Sequence, residues 1–114
     1  MDVILTQLKE WENLAGEAHY RAETLAKLCQ LSTRQLQRRF RIRVGKSPQA
    51  WLDDRRIAAA GQMLLSGKPV KAVAYDLGFK QVSHFCRMFK LRNKMTPLQF
   101  VVVTRESIGN VAVG

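Results

Sequence analysis

The chain has 114 residues, a length that fits one domain or two very small ones that share a core. Hydrophobic residues make up 46 % of it, which argues against a disordered chain. Its formal net charge of +10 predicts an anionic partner, either nucleic acid or an acidic membrane surface. The acidic start of the chain and the lack of a long uncharged apolar stretch argue against a signal peptide and a membrane-spanning helix, so we expect a cytoplasmic protein without a membrane partner.

Apolar residues recur with helical spacing along most of the chain, and this periodicity predicts an all-α fold. A first helix is predicted from Val3 to about Leu14, ending at Gly16. Four apolar residues share one face of it: Ile4, Leu8, Trp11 and Ala15.

A stripe of four apolar residues then occurs twice, 48 residues apart. The two copies are Ala22, Leu25, Ala26 and Cys29, and Val70, Val73, Ala74 and Leu77. A short break and a basic helix follow each stripe, with Leu36 and Phe40 as inward anchors in the first copy and Phe85 and Phe89 in the second. Because the anchors are offset by 49, the second turn is predicted to be one residue longer. The chain therefore contains an internal repeat.

Each copy ends on a helix that begins with a hydroxyl cap and a proline, at Ser47-Pro48 and at Thr96-Pro97. The first of these helices is predicted to reach about Ser66 and to connect the copies, and the second to end near Arg105. The predicted organisation is a first subdomain (1–46), a connecting helix (47–66), a second subdomain (67–106) and a tail without an assigned role (107–114).

Two helices joined by a short turn, the second of them basic, are typical of a helix-turn-helix unit whose second helix enters the DNA major groove. The face opposite the inward anchors would then read base edges, with Arg and Gln as donors to guanine and adenine. The residues predicted to read bases are Arg34, Gln37, Arg38, Val82, Ser83, His84, Cys86 and Arg87. Hydroxyl and basic residues near helix ends are predicted to contact phosphates: Thr33, Arg41, Lys46, Ser47, Lys71, Lys80, Lys90 and Arg92.

These residues carry a resemblance to the AraC/XylS family of bacterial transcription regulators. In the first copy the matching positions are Leu25-Ala26, Leu36, Phe40, Gly45, Ser47-Pro48, Trp51-Leu52, Arg56-Ile57, Ala60 and Met63-Leu64. In the second they are Val73-Ala74, Leu77-Gly78-Phe79, Phe85, Arg87, Phe89-Lys90 and Thr96-Pro97. The match covers roughly residues 4–105.

The resemblance implies seven helices and two homeodomain-like helix-turn-helix subdomains joined by a long connecting helix. It implies that one monomer binds duplex DNA asymmetrically along one face and regulates transcription, as an activator or a repressor, through RNA polymerase. Arg34, Gln37 and Arg38 match positions that read bases in the short family members. Most members carry a separate sensor domain, so the chain is either a stand-alone regulator or the DNA-binding part of a longer protein.

Two positions depart from the pattern. Gln30 stands where the family often has Gly, and Lys94 where a Gly equivalent to Gly45 would stand. If both positions need a positive φ, each stores on the order of 1 kcal/mol of strain. Alternatively the turns differ locally, and Asn93 takes the left-handed position.

Two other functions remain open: a DNA-targeting domain of an enzyme such as a DNA-repair methyltransferase, and a protein-interaction module that has lost DNA binding. The sequence contains no Ser/His/Asp set, no Gly-rich phosphate loop and no cluster of metal ligands, so we expect no enzymatic activity, no cofactor and no metal.

Overall fold

A computed structural model describes the backbone from residue 3 to residue 113 and the side chains from residue 8 to residue 107, so the predicted role of Ile4 lies outside the described side chains. Within this range the chain is all-α, as predicted, and has no strand. Its seven helices are α1 (Val3–Ala15), α2 (Ala22–Leu28), α3 (Thr33–Arg43), α4 (Pro48–Leu65), α5 (Val70–Asp76), α6 (Val82–Asn93) and α7 (Pro97–Val113).

The chain divides into two compact units, Met1–Arg56 and Ile57–Gly114. The division falls inside α4, the predicted connecting helix. Its first half supplies Trp51 and Leu52 to the core of the first unit. In its second half, Ile57, Ala60 and Leu64 are buried. One long helix therefore contributes to two hydrophobic cores.

Stacked aromatic rings form the centre of the first unit. The ring of Phe40 lies 4.0 Å from that of Trp11 in a stacked arrangement, and 5.3 Å from that of Trp51 in an edge-on one. Phe40 is fully buried, together with Leu25 and Leu36. The predicted inward anchor of α3 is thus the residue that joins α1, α3 and α4.

The core of the second unit is a chain of phenylalanine rings. Phe85 lies 5.2 Å from Phe79 and 5.8 Å from Phe89, and Phe89 lies 5.3 Å from Phe100. Gly61 of α4 faces the Phe100 ring so closely that an added Cβ would stand 3.2 Å from it. A side chain at position 61 would therefore require the Phe100 ring to move by a few tenths of an ångström.

The predicted hydroxyl caps are present at both Ser-Pro and Thr-Pro helix starts. The Ser47 hydroxyl accepts the Ala50 amide at 3.2 Å, and the Thr96 hydroxyl accepts the Gln99 amide at 3.1 Å. Each bond satisfies an amide that has no partner within its own helix. The capped starts set where α4 and α7 begin.

The two turns that precede the basic helices share one hydrogen-bond pattern. The amide of Leu31 donates to Ala26 at 2.8 Å, and 48 residues later the amide of Phe79 donates to Ala74 at 3.0 Å. These bonds close the ends of α2 and α5 in the manner of a Schellman motif. Lys80 is the additional residue that makes the second turn longer, as the change of offset predicted.

Both departures from the family pattern adopt the left-handed conformation: φ is 59° at Gln30 and 62° at Lys94. The alternative in which Asn93 takes that position is wrong. Asn93 is the last residue of α6, and its side-chain amide donates to the Phe89 carbonyl at 3.2 Å, which holds it in the helix. A non-glycine residue in this region carries a steric cost.

We expect Lys94→Gly to raise the free energy of unfolding by about 1 kcal/mol, because glycine has no Cβ to clash in the left-handed region. Thermal and urea unfolding followed by far-UV circular dichroism measure this gain. Lys94→Ala is the matched control, since it removes the same charge but keeps the Cβ. Equal stability of the two variants would show that backbone strain is not the cause.

Two features lie beyond the predicted elements. His19 and Tyr20 have φ values of 54° and 57°, and the Tyr20 carbonyl accepts the side-chain amide of Gln49 at 2.9 Å. In addition, α7 continues past the predicted end near Arg105 to Val113. The stretch after Arg105 contains no proline that would end the helix.

Candidate nucleic-acid interface

The first candidate reading surface is the exposed side of α3. Ser32 caps this helix in a reciprocal capping box: its hydroxyl accepts the Gln35 amide at 3.1 Å, and the Gln35 side chain accepts the Ser32 amide at 2.9 Å. With Leu36 and Phe40 buried, the opposite side of the helix is open to solvent. One shallow depression on it is lined by Arg34, Gln37, Arg38, Arg41 and Ile42. Three of the predicted base readers thus share one continuous basic surface.

The second candidate surface is the exposed side of α6, opposite Phe85 and Phe89. Ser83, His84 and Arg87 are exposed, whereas Val82 and Cys86 are half-buried. The His84 ring packs edge-on against Phe79 at 5.5 Å, so core packing restrains the imidazole. Ser83, His84 and Arg87 thus lie on the solvent side of α6, whereas Val82 and Cys86 lie nearer the buried face.

The residues predicted to contact phosphate lie on α3, α5 and α6 and in the turns before α4 and α6. Seven of them are exposed and Arg92 is half-buried: Thr33, Arg41, Lys46, Ser47, Lys71, Lys80, Lys90 and Arg92. The Lys46 ammonium lies 2.8 Å from the Asp54 carboxylate, so a phosphate at this site would have to share or replace an ion pair. Both partners are partly exposed, and such pairs are weak.

Cys29 lies half-buried on the predicted apolar stripe of the first copy. Burial raises the pKa of the Cys29 thiol, and the nearby Glu10 carboxylate adds to this effect. A thiol kept protonated among apolar neighbours is a packing group, in keeping with its place on the predicted stripe.

Among the described side chains, no three His, Cys, Asp or Glu residues cluster as a metal site would require. No helix among the described residues has the length and hydrophobicity to cross a bilayer.

Comparison with known proteins identifies the family. A family model described as a helix-turn-helix domain matches residues 25–101, which is more than half of the chain. Several regulators are similar in sequence. Among them, the virulence regulon transcriptional activator VirF of Yersinia enterocolitica is 41% identical over 56 residues, and the arabinose operon regulatory protein of Escherichia coli is 29% identical over 99 residues. The chain belongs to the AraC/XylS family.

The relatives also define how far the likeness extends. The VirF match covers 48% of this chain and 21% of VirF, and the arabinose regulator match covers 86% of this chain and 34% of that protein. The chain thus spans between a fifth and about a third of these AraC/XylS proteins. The solved C-terminal domain of the response regulator YesN from Fusobacterium nucleatum has the same fold, with a TM-score of 0.72 and 24% identity over 84% of this chain and 98% of that one.

Sequence reasoning missed two residues on the candidate surfaces of this AraC-type domain. Ile42 on α3 and Leu91 on α6 are large aliphatic residues, yet they are 75% and 69% exposed. Both fall outside the apolar stripe of their helices, so the pattern of inward anchors does not include them. Their equal place in the repeat, 49 residues apart, was a signal already present in the sequence.

Proposed function

We propose that this AraC-type domain binds a specific sequence of duplex DNA as a monomer, with α3 and α6 in two successive major grooves. The observation that carries the proposal is the pair of exposed faces. Both helices occupy the same place in the repeat and bury equivalent anchors, but the open side of α3 bears Arg34, Gln37 and Arg38, whereas that of α6 bears Ser83, His84 and Arg87.

Each face has the chemistry of base recognition. Arg34 and Arg38 have the fork of donors that binds guanine O6 and N7, and Gln37 can bind adenine N6 and N7. On α6, Arg87 would serve a guanine, while Ser83 and the half-buried Val82 would meet a hydrogen-bonding group and a thymine methyl. The surrounding basic residues would hold phosphates and set the register of the helices.

The difference between the two faces supports an asymmetric site. A dimer presents one face twice and therefore reads a palindrome, whereas one chain with two unlike faces reads two unlike half-sites. Major grooves on one side of B-DNA recur about every 10 base pairs. We therefore expect two dissimilar sequence elements at that spacing, bound by one chain.

Selection from random duplex DNA at moderate salt tests this proposal. The expected result is one motif with two unlike elements about one helical turn apart, and native mass spectrometry of the complex should show one chain per duplex. Enrichment of no motif would refute sequence-specific binding. A palindrome bound by two chains would refute the monomeric arrangement.

We further propose that the bound chain regulates transcription through contact with RNA polymerase, which would place its action in the cytoplasm. VirF is described as a transcriptional activator, and this supports the same direction of control here. Transcription in vitro from promoters with the selected site at varied distances upstream tests it. Full occupancy of the site without any change in transcript level, at every distance, would contradict the proposal.

A second candidate is DNA targeting on behalf of a longer polypeptide. The length of the relatives favours it, since the matched region is 21% of VirF and 34% of the arabinose regulator. The reading frame of the gene on both sides of this segment distinguishes the two candidates. Fusion to a sensor or catalytic domain would support the second.

A further inference from the structure

Ile42 and Leu91 are equivalent residues of the two helix-turn-helix copies. They lie 49 residues apart, the offset that also relates Phe40 to Phe89, and each stands two residues after its buried anchor. Ile42 is 75% exposed and Leu91 is 69% exposed, although both are large and aliphatic. Single exposed aliphatic residues are ordinary on protein surfaces. The same exposure at the same point of two copies needs a common cause.

The neighbours of these residues are also equivalent. Ile42 lies between Arg41 and Arg43, and Leu91 lies between Lys90 and Arg92. Each copy thus carries an exposed aliphatic side chain in the last turn of its basic helix, next in sequence to two cations. No acidic residue occurs in segment 34–46 or in segment 80–94. A partner that combines negative charge with apolar groups fits these positions.

Both residues extend the candidate reading faces. Ile42 follows Arg38 by four positions and lines the same depression as Arg34, Arg38 and Arg41. Leu91 follows Arg87 by four positions, and side chains at this spacing lie on the same side of a helix. Each aliphatic group thus stands one turn beyond an arginine that would reach a base.

We propose that Ile42 and Leu91 contact the C5 methyl groups of thymines in the DNA major groove, and so act as specificity residues in both half-sites. This inference rests on the proposed DNA-binding function. The thymine methyl is the apolar group of the major groove, and phosphates border it on both sides. A duplex therefore supplies both the negative charge that the basic helices attract and an apolar group for each aliphatic side chain.

Replacement of thymine by uracil tests the contact, because uracil keeps the base pair and lacks only the methyl. Binding of the wild-type chain, Ile42→Ala and Leu91→Ala is measured on the selected site with thymine or uracil at each position. We expect wild-type affinity to fall about fourfold at one position per half-site, the effect of removing one buried methyl. The Ile42→Ala chain should be insensitive to the change in the α3 half-site only, and Leu91→Ala in the α6 half-site only.

Val103→Ala is the matched control. Val103 is an exposed aliphatic residue of α7, outside the basic helices, and its replacement should leave both affinity and uracil sensitivity unchanged. Unfolding midpoints of all three variants should equal that of the wild type, since none of the replaced side chains is buried.

The outcomes separate this inference from the proposed function. Failure to select any motif would refute DNA recognition itself. A selected motif with the same uracil sensitivity in the wild type and the Ala variants would overturn the methyl contact alone. Loss of affinity in the Ala variants that is equal on thymine and uracil sites would also overturn it, because the side chains would then meet the deoxyribose or another part of the complex.

Discussion

Replacing Phe40 with Ala is expected to lower the free energy of unfolding of the first unit by about 3–5 kcal/mol. Phe40 has no exposed surface, and its ring contacts Trp11 at 4.0 Å and Trp51 at 5.3 Å between centroids. Deletion of the ring removes both contacts and leaves a cavity between α1, α3 and α4. Small domains have a total stability of about 5–15 kcal/mol, so a loss of this size leaves the unit marginal or unfolded.

Tryptophan fluorescence measures this effect locally, because Trp11 and Trp51 are the chain's two tryptophans and both contact Phe40. Urea unfolding followed by emission should show a much lower midpoint for Phe40→Ala. Ile42→Ala is the control on the same helix, and its 75% exposure predicts a change within about 0.5 kcal/mol. If the two variants unfolded at equal urea concentrations, the ring stack would not be what stabilises this unit.

Much of the fold could be predicted because the chain repeats its own pattern. One amphipathic stripe is ambiguous, but a second copy 48 residues later fixes which residues are anchors and which lie in turns. The two copies also share their backbone geometry, since the amides of Leu31 and Phe79 donate equivalent hydrogen bonds. The helix starts at Ser47 and Thr96 could be predicted for a second reason. Each is set by a local hydrogen bond from a backbone amide to the hydroxyl three residues earlier.

Features set by distant contacts could not be predicted. Tyr20 has no local preference for its φ of 57°, and the hydrogen bond from Gln49 to its carbonyl comes from another helix, 29 residues away. The division of the chain within α4 likewise depends on which core each half of the helix enters, and one helical period cannot reveal this. The positive φ at Gln30 and Lys94 was foreseen only as one of two alternatives, since neither residue favours it.

The sequence predicted which helix faces carry the candidate site, but not which of its side chains form ion pairs within the protein. Knowledge of the buried anchors Leu36 and Phe85 is enough to put Arg38 and Arg87 on open faces, because the helical period relates them. The ion pair between Lys46 and Asp54 could not be read in the same way, since it joins the start of α4 to the loop before it. Contact of any of these residues with DNA stays a prediction.

Replacing Arg87 with Ala is expected to weaken binding to the selected site by about 1–3 kcal/mol and to relax the preference at one base pair. Arg87 is exposed in the middle of α6, where its guanidinium can meet guanine O6 and N7 together. Arg87→Lys should lose much of the same discrimination, because an ammonium cannot make both bonds in one plane. Competition gel shifts with single-base variants of the site measure the change in preference.

Lys90→Ala gives the contrasting result that makes this assignment testable. Lys90 is exposed in the last turn of α6, and as a phosphate ligand it should strengthen binding to all sequences alike. Its loss should weaken specific and random duplexes equally and reduce the slope of log K against log salt by about 1. If Arg87→Ala behaved in this way and kept full base preference, Arg87 would be a phosphate contact, and the base-reading role of α6 would rest on Ser83 and His84.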